Sequence, residues 1–580
     1  MSNRNTNLIT AALLSIMFFL AVFSMKDDSV TMDEVAHLPA GYSYLTQKDM
    51  RLNPEHPPLL KDLAAAPLLF IKGIKFPSDI KAWKDDINGQ WDFGSYFLYQ
   101  TGNPVEKMIF WGRIPMILIL LLLGFYIFKW AKELFGNKAA LLALFLFSFS
   151  PTFLAHGRLV TTDVGAATGA FIATYYFIKS LQNPSKRNII FAGIAFGLAE
   201  LCKFSVILLL PFFGLLALIW WLVKLGSFKQ TLKILVLVFV IGFILIWPIY
   251  QYHVWNYPAE KQARDAEVFL SAYPDFIQKP LIFASDKPIL RPYAQYLTGL
   301  FMVFHRAAFG NTTYFLGEVS NLGWKNYFPV VYSIKEPLTF HILTLIVLLY
   351  AAWLIRRKNW INPIRNTISN GARNHFPEFS MLCFIGLYWT VSLVSSLNIG
   401  VRHLLPVFPF TILLVSGMIG NLIKSPFLKL KLTILGILIL WQAVSVISIY
   451  PHFLAYFNEL AGGPNQGFIY TVDSNLDWGQ DLKRLKNWVE EKKVEKIYVD
   501  YFGGGDPQYY LKEKYVPWWG QRNPEEFPKG NYLAVSATLL QGGRGELAPG
   551  FNQPTGYYRW LNKYTPVTKI GYSIFVYYID

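Results

Sequence analysis

The sequence predicts a polytopic α-helical membrane protein with about eleven membrane-spanning helices and a small C-terminal α/β domain outside the membrane. Two observations, the composition and the length of the apolar runs, support this fold class. Of the 580 residues, 53% are hydrophobic and only 16% are charged, whereas a soluble domain carries about 25% charged residues. The apolar residues also form runs close to the roughly 20 residues that cross about 30 Å of hydrocarbon. The chain is therefore predicted to lie in a bilayer.

The apolar runs that define the predicted spans lie at residues 8–25, 110–128, 139–156, 160–180, 188–202, 204–223, 233–250, 338–355, 379–397, 403–421 and 431–449. Every second short connection is rich in Lys and Arg, around residues 129–138, 179–187, 224–233, 356–373 and 424–431. Because basic connections stay in the cytoplasm, this bias predicts a cytoplasmic N-terminus. An odd number of spans then places residues 26–109, 251–337 and 451–580 outside.

The charge and cysteine content argue against two other classes of protein. The net charge of +16 does not indicate nucleic-acid binding, because Lys and Arg cluster in short connections instead of on one solvated face. Cys202 and Cys383 both lie in apolar runs, so neither a disulfide framework nor a Cys-rich zinc site is expected. The run at residues 7–25 is followed by a poor signal-peptide cleavage site and by further spans, so it is predicted to remain as the first helix.

The outer segments contain shorter patterns. Residues 59–71 are apolar but too short to span, which predicts an amphipathic helix at the membrane surface. The C-terminal region has patterns typical of an α/β domain: a helix at 482–491, strands at 496–502 and 532–536, and a turn at 503–505. We therefore expect a transmembrane domain at 1–450 and an extracytoplasmic α/β domain at 451–580.

Acidic residues occur at the outer ends of two predicted spans. Asp33 and Glu34 follow the first span, and Asp163 lies at the outer end of the fourth. Partial desolvation makes a carboxylate a better base, and an ionisable group at membrane depth usually faces a cavity or a partner. All three are candidate catalytic residues. The alternatives are a solvated pair for Asp33 and Glu34, and a helix cap or an ion pair with Arg158 for Asp163.

Single cations on very short outer connections depart from the charge bias. Arg158, Lys203 and Arg402 are these exceptions, and each requires an anionic partner. Lipid headgroups are one source of negative charge. A phosphate or pyrophosphate site is the other, with Arg as a bidentate donor and Lys as a point charge.

Two further segments carry polar side chains in restricted loops. The segment Asn53-Pro-Glu-His-Pro-Pro presents Glu55 and His56 on a rigid backbone, suited to closing over a sugar, although a simple proline-rich turn explains it equally well. Its histidine matches no metal-ligand motif with His37 or His156, so a divalent metal is allowed but not predicted. The segment 473–481 begins like a calcium loop, but the match then fails, which favours a helix start capped by one of its aspartates.

Together these residues resemble the protein O-mannosyltransferase superfamily, glycosyltransferase family 39 of the membrane-bound C-type fold, including its bacterial polyprenyl-phosphate-dependent relatives. The matching motifs are Asp33-Glu34, Glu55-His-Pro-Pro, His156-Gly-Arg with Asp163, Tyr314-Phe-Leu-Gly-Glu with Trp324, Tyr327-Phe-Pro, Lys335-Glu-Pro, and Asn398-Ile-Gly-Val-Arg-His-Leu-Leu-Pro. The outer loops have no counterpart of the β-trefoil domain of the eukaryotic enzymes. The acceptor therefore stays open among protein, lipid and glycan.

The resemblance implies a glycosyltransferase that moves a sugar from a polyprenyl-phosphate carrier to an acceptor hydroxyl, by a single inverting displacement on the outer face of the plasma (inner) membrane. Asp33 is implied as the catalytic base, with Glu34 and Asp163 as further catalytic residues. The expected substrate- and phosphate-binding residues are Arg158, Lys203, Arg402, His403, Glu55, His56 and Lys335. No cofactor is expected to be required. The expected partners are the donor, the acceptor and the bilayer, without nucleic acid.

Two other functions fit part of the pattern. A transporter or flippase for a lipid-linked sugar also carries intramembrane charges, but it would place them near mid-membrane and show paired broken helices. A catalytically inactive glycan-binding relative would stack aromatic residues such as Trp518, Trp519 and Trp560 on a glycan.

Overall fold

The computed structural model describes residues 2–359, 364–423 and 427–580. Within these ranges, eight helices are long and apolar enough to span a membrane: Asn3–Ser24, Val105–Phe135, Phe204–Leu222, Phe228–His253, Leu338–Arg357, Phe376–Val394, Val401–Leu422 and Leu428–Ser448. The polytopic helical fold is thereby confirmed. Residues 360–363 and 424–426, which belong to two of the predicted basic connections, lie outside the described residues.

The other three predicted spans also coincide with helices, but these do not meet the same length and composition criteria. They are Asn137–Ser148, Asp163–Gln182 and Lys186–Glu200. Asp163–Gln182 is largely buried by neighbouring helices, and it is rich in Gly and Ala. A Cβ at Gly169 would lie 2.9 Å from the Cα of Ala199, so small residues allow the two helix backbones to approach closely. Protein contacts, more than lipid contacts, explain its lower hydropathy.

The predicted outer segments fold into short helices. The first contains Met32–Gln47, Leu59–Ala65, Lys81–Lys84 and Gln90–Ser95. The second contains Ala259–Phe269, Asp275–Ser285, Arg291–Phe309 and Tyr327–Lys335. The remaining α-helices are Pro151–His156, Ile364–Asn374, Leu482–Glu491, Pro507–Leu511 and Ala537–Arg544. The predicted amphipathic segment 59–71 is helical from Leu59 through Phe70, and Phe70 is 87% exposed.

Eight strands form two sheets: β1 (Thr313–Phe315), β2 (Glu318–Ser320), β3 (Ile497–Asp500), β4 (Tyr515–Pro517), β5 (Asn531–Ser536), β6 (Glu546–Leu547), β7 (Thr568–Ile570) and β8 (Ile574–Ile579) among the described residues. The larger sheet has the order β4-β3-β5-β8-β7, with β3 parallel to β4 and β5, and β8 antiparallel to β5 and β7. The smaller sheet joins β6 to the β1–β2 hairpin. The helix and both strands predicted after residue 480 are confirmed, whereas the domain boundary at 450 stays a prediction.

Candidate functional site

A cavity of about 290 Å³ lies beside the start of helix Met32–Gln47. Its polar lining includes Asp33, His37, Glu55, His56, Lys203, Arg306, Arg402 and His403. Its apolar lining includes Phe204, Ile207, Leu208, Val303, Phe304 and Val391. The apolar side chains come from two predicted membrane spans and from helix Arg291–Phe309. The cavity is therefore polar at one part of its wall and apolar at another.

Four of the predicted site residues form a continuous chain of ion pairs. Arg402 donates from Nη1 to Asp33 Oδ2 at 2.7 Å and to Asp163 Oδ2 at 3.3 Å. Lys203 Nζ donates to Asp163 Oδ1 at 2.5 Å. Asp163 is buried, whereas the side chain of Asp33 is 21% exposed and lines the cavity. Two cations and two carboxylates that are distant in the sequence thus meet at one place.

The electrostatic environment keeps Asp33 ionised. Burial acts to raise the pKa of its carboxyl, but the charge of Arg402, helped by His37, outweighs burial and lowers that pKa below its usual range. An ionised carboxylate is the form that accepts a proton. While it is paired with Arg402, however, Asp33 is a weaker base than an unpaired carboxylate would be.

Glu34 differs from Asp33 in every contact. Its carboxylate is fully buried and accepts two hydrogen bonds from Arg113, at 2.8 and 2.6 Å. It also accepts from the backbone N–H groups of Thr31 at 2.9 Å and Val160 at 3.0 Å. These donors occupy both oxygens, and Glu34 is not part of the cavity lining. Its contacts favour a structural role, and the catalytic role of Glu34 stays a prediction.

The structure places Arg158 and Lys335, two predicted phosphate-binding residues, in buried contacts with other partners. Arg158 is buried and pairs with Asp28 at 2.9 Å, so the alternative ion pair with Asp163 is not formed either. Lys335 is buried and donates to three backbone carbonyls, those of Leu454, Tyr456 and Asn475, at 2.6 to 2.9 Å. Neither residue is part of the cavity lining. Both side chains stabilise the folded chain through these buried contacts.

The remaining predicted binding residues do line the cavity. Glu55 accepts hydrogen bonds from Gln90 at 2.6 Å and Asn88 at 3.1 Å, which orient its carboxylate. The His56 ring lies edge-on to His37, with ring centres 5.0 Å apart. Burial, and then the charge of His37, hold the pKa of His56 well below its usual range, so its imidazole is neutral at pH 7. His403 follows Arg402 directly on the cavity wall.

Arg306 and Trp91 are among the cavity residues that the sequence motifs did not reveal. Arg306, on helix Arg291–Phe309, is exposed in the cavity wall and forms no ion pair within the described ranges. Trp91 lines the same cavity with 40% of its surface exposed. Both lie outside the recognised motifs, so their spacing gave no signal. Among the described residues, no group of three or more His, Cys, Asp or Glu side chains is arranged to hold a metal ion.

Residues 98–250 match the family model of the dolichyl-phosphate-mannose-protein mannosyltransferases. This match confirms the resemblance drawn from the sequence motifs. The match covers 153 of the 580 residues, so the likeness to this family is shown for that segment. The matched segment contains Arg113, which holds Glu34, as well as Asp163 and Lys203 of the ion-pair chain. No curated protein matches the chain.

Among solved structures, the chain is similar to ArnT from Cupriavidus metallidurans bound to undecaprenyl phosphate, with 13% identity, a TM-score of 0.47, and 100% and 98% of the two chains covered. It is also similar to the archaeal oligosaccharyltransferase AglB from Archaeoglobus fulgidus, with 11% identity, a TM-score of 0.45, and 90% and 69% covered. A third is the S. cerevisiae Pmt1–Pmt2 complex, with 19% identity, a TM-score of 0.34, and 44% and 34% covered.

Proposed function

We propose that the protein transfers a sugar from a polyprenyl-phosphate carrier to an acceptor hydroxyl on the outer face of the membrane. The observation that carries this proposal is a single cavity that combines an ionised carboxylate, several cations and an apolar wall. A lipid-linked sugar phosphate has the same division between a polar head and an apolar tail. The description of the matching family, which names dolichyl-phosphate-mannose, supports a donor of this class.

The apolar wall suits the first part of the prenyl chain. Phe204, Ile207 and Leu208 come from a helix apolar enough to span the membrane, and Val391 comes from another. Val303 and Phe304 face them from helix Arg291–Phe309. A prenyl chain in the bilayer can therefore extend along this wall without leaving an apolar environment.

The charges of the cavity suit a phosphate. Lys203 and Arg402 already interact with carboxylates, whereas Arg306 has no ion-pair partner in the part of the chain that the structure describes. An incoming phosphate therefore finds one available guanidinium and a second, Arg402, within the same cavity. Two guanidinium groups offer planar pairs of N–H donors that match phosphate oxygens. Arg306 is thus our candidate for the first phosphate contact.

The proposed reaction is a single displacement. The acceptor oxygen attacks the anomeric carbon while Asp33 takes the hydroxyl proton. The bond between the anomeric carbon and the phosphate oxygen breaks, its electron pair stays with the leaving polyprenyl phosphate, and the configuration inverts. Arg402 and Arg306 stabilise the negative charge on that leaving group. Because phosphate is a weak base, this scheme needs no general acid, and no metal or cofactor enters any step.

The donor sugar is a hexose or pentose, and the acceptor hydroxyl belongs to a protein, a lipid or a growing glycan. The positive-inside bias and the bacterial resemblance support a plasma (inner) membrane location, with a cytoplasmic N-terminus and an extracytoplasmic C-terminal region.

The test is transfer of radiolabelled sugar from a panel of polyprenyl-phosphate donors to cell-envelope acceptors by the reconstituted protein. Wild type is compared with Asp33→Asn and with Asp79→Asn, which changes an exposed carboxylate elsewhere in the first outer segment. We expect wild type and Asp79→Asn to transfer, and Asp33→Asn to bind donor without transferring. Equal transfer by Asp33→Asn would contradict its role as base. No transfer by wild type from any donor would contradict the enzymatic function.

A further inference from the structure

The segment 473–481 of the C-terminal region is buried against the membrane part of the chain. Ser474, Asn475, Asp477, Trp478 and Asp481 each expose at most 1% of their surface. The sequence pattern predicted that one of its aspartates caps the helix Leu482–Glu491. The structure gives that helix no side-chain cap, and Asp477 instead accepts a hydrogen bond from the Thr538 N–H at 2.8 Å. The segment therefore has another structural task.

One side of the segment holds the helix that carries Asp33. The Met32 N–H, directly before Asp33, donates to the carbonyl of Trp478 at 2.9 Å. Ser29 makes two further bonds, from its N–H to the Gln480 carbonyl at 2.9 Å and from its hydroxyl to the Gly479 carbonyl at 2.6 Å. These contacts fix the position at which the Asp33 helix begins.

The other side of the segment holds the turn that carries Arg402. The Val401 N–H donates to Asn475 Oδ1 at 2.9 Å, and the Ser474 hydroxyl donates to the Ile399 carbonyl. Gly400 has φ of +148°, and a Cβ there would lie 2.2 Å from Ser474 Oγ. Only glycine permits this close approach without displacement. The segment thus joins the two elements that bear the ion pair of the site.

Trp478 contacts Arg402 itself. Its ring centre lies 4.2 Å from Cζ of the guanidinium, and the indole is 1% exposed. A guanidinium stacked on an indole ring is attracted to its face, and this attraction is larger when water is excluded. Asp33 and Asp163 bind Nη1 of the same guanidinium, so the ring and the two carboxylates together define its orientation.

We propose that Trp478 is a positioning residue of the transferase site, whose ring holds the Arg402 guanidinium against Asp33 and toward the donor phosphate. This inference rests on the proposed function. It makes the C-terminal region a part of the catalytic apparatus and not an independent appendage. Trp478 does not touch substrate in this scheme, because it acts through Arg402.

The position of Arg402 has a measurable effect on Asp33. The titratable groups that act on Asp33 are Arg402, His37 and Asp163, and Asp33 in turn acts on the nearby Asp473. Burial favours the protonated form of Asp33, and Arg402 is the strongest of the groups that oppose it. If the guanidinium moves away, the pKa of Asp33 rises. A reaction that needs ionised Asp33 then begins to lose rate at a higher pH when the solution is acidified.

The experiment compares Trp478→Leu and Trp478→Phe with Trp518→Leu, a matched control because Trp518 is also buried but packs against Tyr498 and Phe527 in the C-terminal region. The measurements are kcat, the pH profile of kcat/KM, thermal unfolding, and affinity for polyprenyl phosphate alone. We expect Trp478→Leu to lower kcat about tenfold or more and to move the acidic limb upward by about one pH unit. Trp478→Phe should restore most of both, since it keeps an aromatic face.

Two results would overturn the proposal. One is a Trp478→Leu variant that is destabilised like Trp518→Leu but has the wild-type pH limb and kcat, which would make Trp478 purely structural. The other is a Trp478→Phe variant that folds but shows no rescue relative to Trp478→Leu. Failure of the proposed function is a separate outcome, seen as absence of transfer by wild type. If wild type does not transfer, the affinity for polyprenyl phosphate still tests the positioning role. This affinity must be lower in Trp478→Leu than in wild type, and it must be unchanged in Trp518→Leu.

Discussion

Asp33 and Glu34 are adjacent carboxylates whose neutralisation we predict to have different effects. Neutralising Glu34 should reduce the stability of the protein, and neutralising Asp33 should abolish transfer. In Glu34→Gln, Arg113 keeps its buried charge but loses the carboxylate that receives bonds of 2.8 and 2.6 Å. The new amide also directs N–H donors at groups that are donors themselves, among them the Val160 N–H. Breaking one side of a buried pair costs about 3–5 kcal/mol. Asp33→Asn, at a side chain 21% exposed, should cost far less stability.

The assay is thermal and denaturant-induced unfolding of the purified variants in detergent, combined with transfer rates measured on the folded fraction. We expect Glu34→Gln to unfold at a clearly lower temperature and denaturant concentration than wild type. The molecules that remain folded should retain most of the transfer rate. Asp33→Asn should unfold close to wild type and lose nearly all transfer.

The reasoning fails if the two phenotypes are exchanged or coincide. A stable Glu34→Gln variant without activity would show that Glu34 takes part in the chemistry. A matched control is Glu34→Gln combined with Arg113→Met, which removes the uncompensated charge. If unpaired Arg113 is the cause of the instability, the double variant should be more stable than Glu34→Gln alone.

Three further predictions follow from individual contacts. Lys335→Met leaves three buried carbonyls without their donor. It should lower the unfolding free energy, by about 1–3 kcal/mol for each carbonyl that stays unsatisfied. Unfolding assays measure this loss, and transfer assays should show an unchanged kcat. Arg306→Gln should raise the donor KM about tenfold with little change in the acceptor KM. The donor KM of Arg306→Lys should lie between those of Arg306→Gln and wild type. An unchanged donor KM in both variants would argue against the phosphate contact. Burial raises the pKa of Asp473 to about 6, so the native carboxyl holds its proton more tightly than the carboxyl of the unfolded chain. Wild type therefore loses stability as the pH rises from about 4 to 6. Asp473→Asn lacks this loss, and its stability relative to wild type should increase over that window and then level off in denaturant titrations at each pH.

The sequence was sufficient for the fold because hydrophobic length and charge bias act locally. Each of the eleven predicted apolar runs is largely helical, although the run at 139–156 is divided between Asn137–Ser148 and Pro151–His156, and the helix at Leu482–Glu491 was predicted to the residue. The number of membrane-crossing helices was harder to predict. Asp163–Gln182 is enclosed by other helices, so its composition reflects close helix packing as much as contact with lipid.

The site was predicted only in part, because long-range partners decide what a charged residue does. Asp33, Lys203 and Arg402 do meet at the cavity. Arg158 had the same sequence signature as Lys203, a lone cation on a short outer connection, but Asp28 neutralises it. Lys335 is held by carbonyls more than 100 residues later in the chain. No local pattern around either residue specifies those partners.

The pairing of Asp33 with Arg402 has a consequence for the proposed reaction. Arg402 divides its Nη1 contacts between Asp33 and Asp163, at 2.7 and 3.3 Å, and this pairing keeps the carboxylate of Asp33 a poor base. A donor phosphate that attracts Arg402 would weaken its contact with Asp33, and the burial of Asp33 would then raise its basicity. The proposed base thus becomes effective only when the group that it serves is bound. Trp478 limits how far Arg402 can turn in that exchange, which is why the largest effect of removing its ring is expected on turnover and on the pH limb, and not on folding alone.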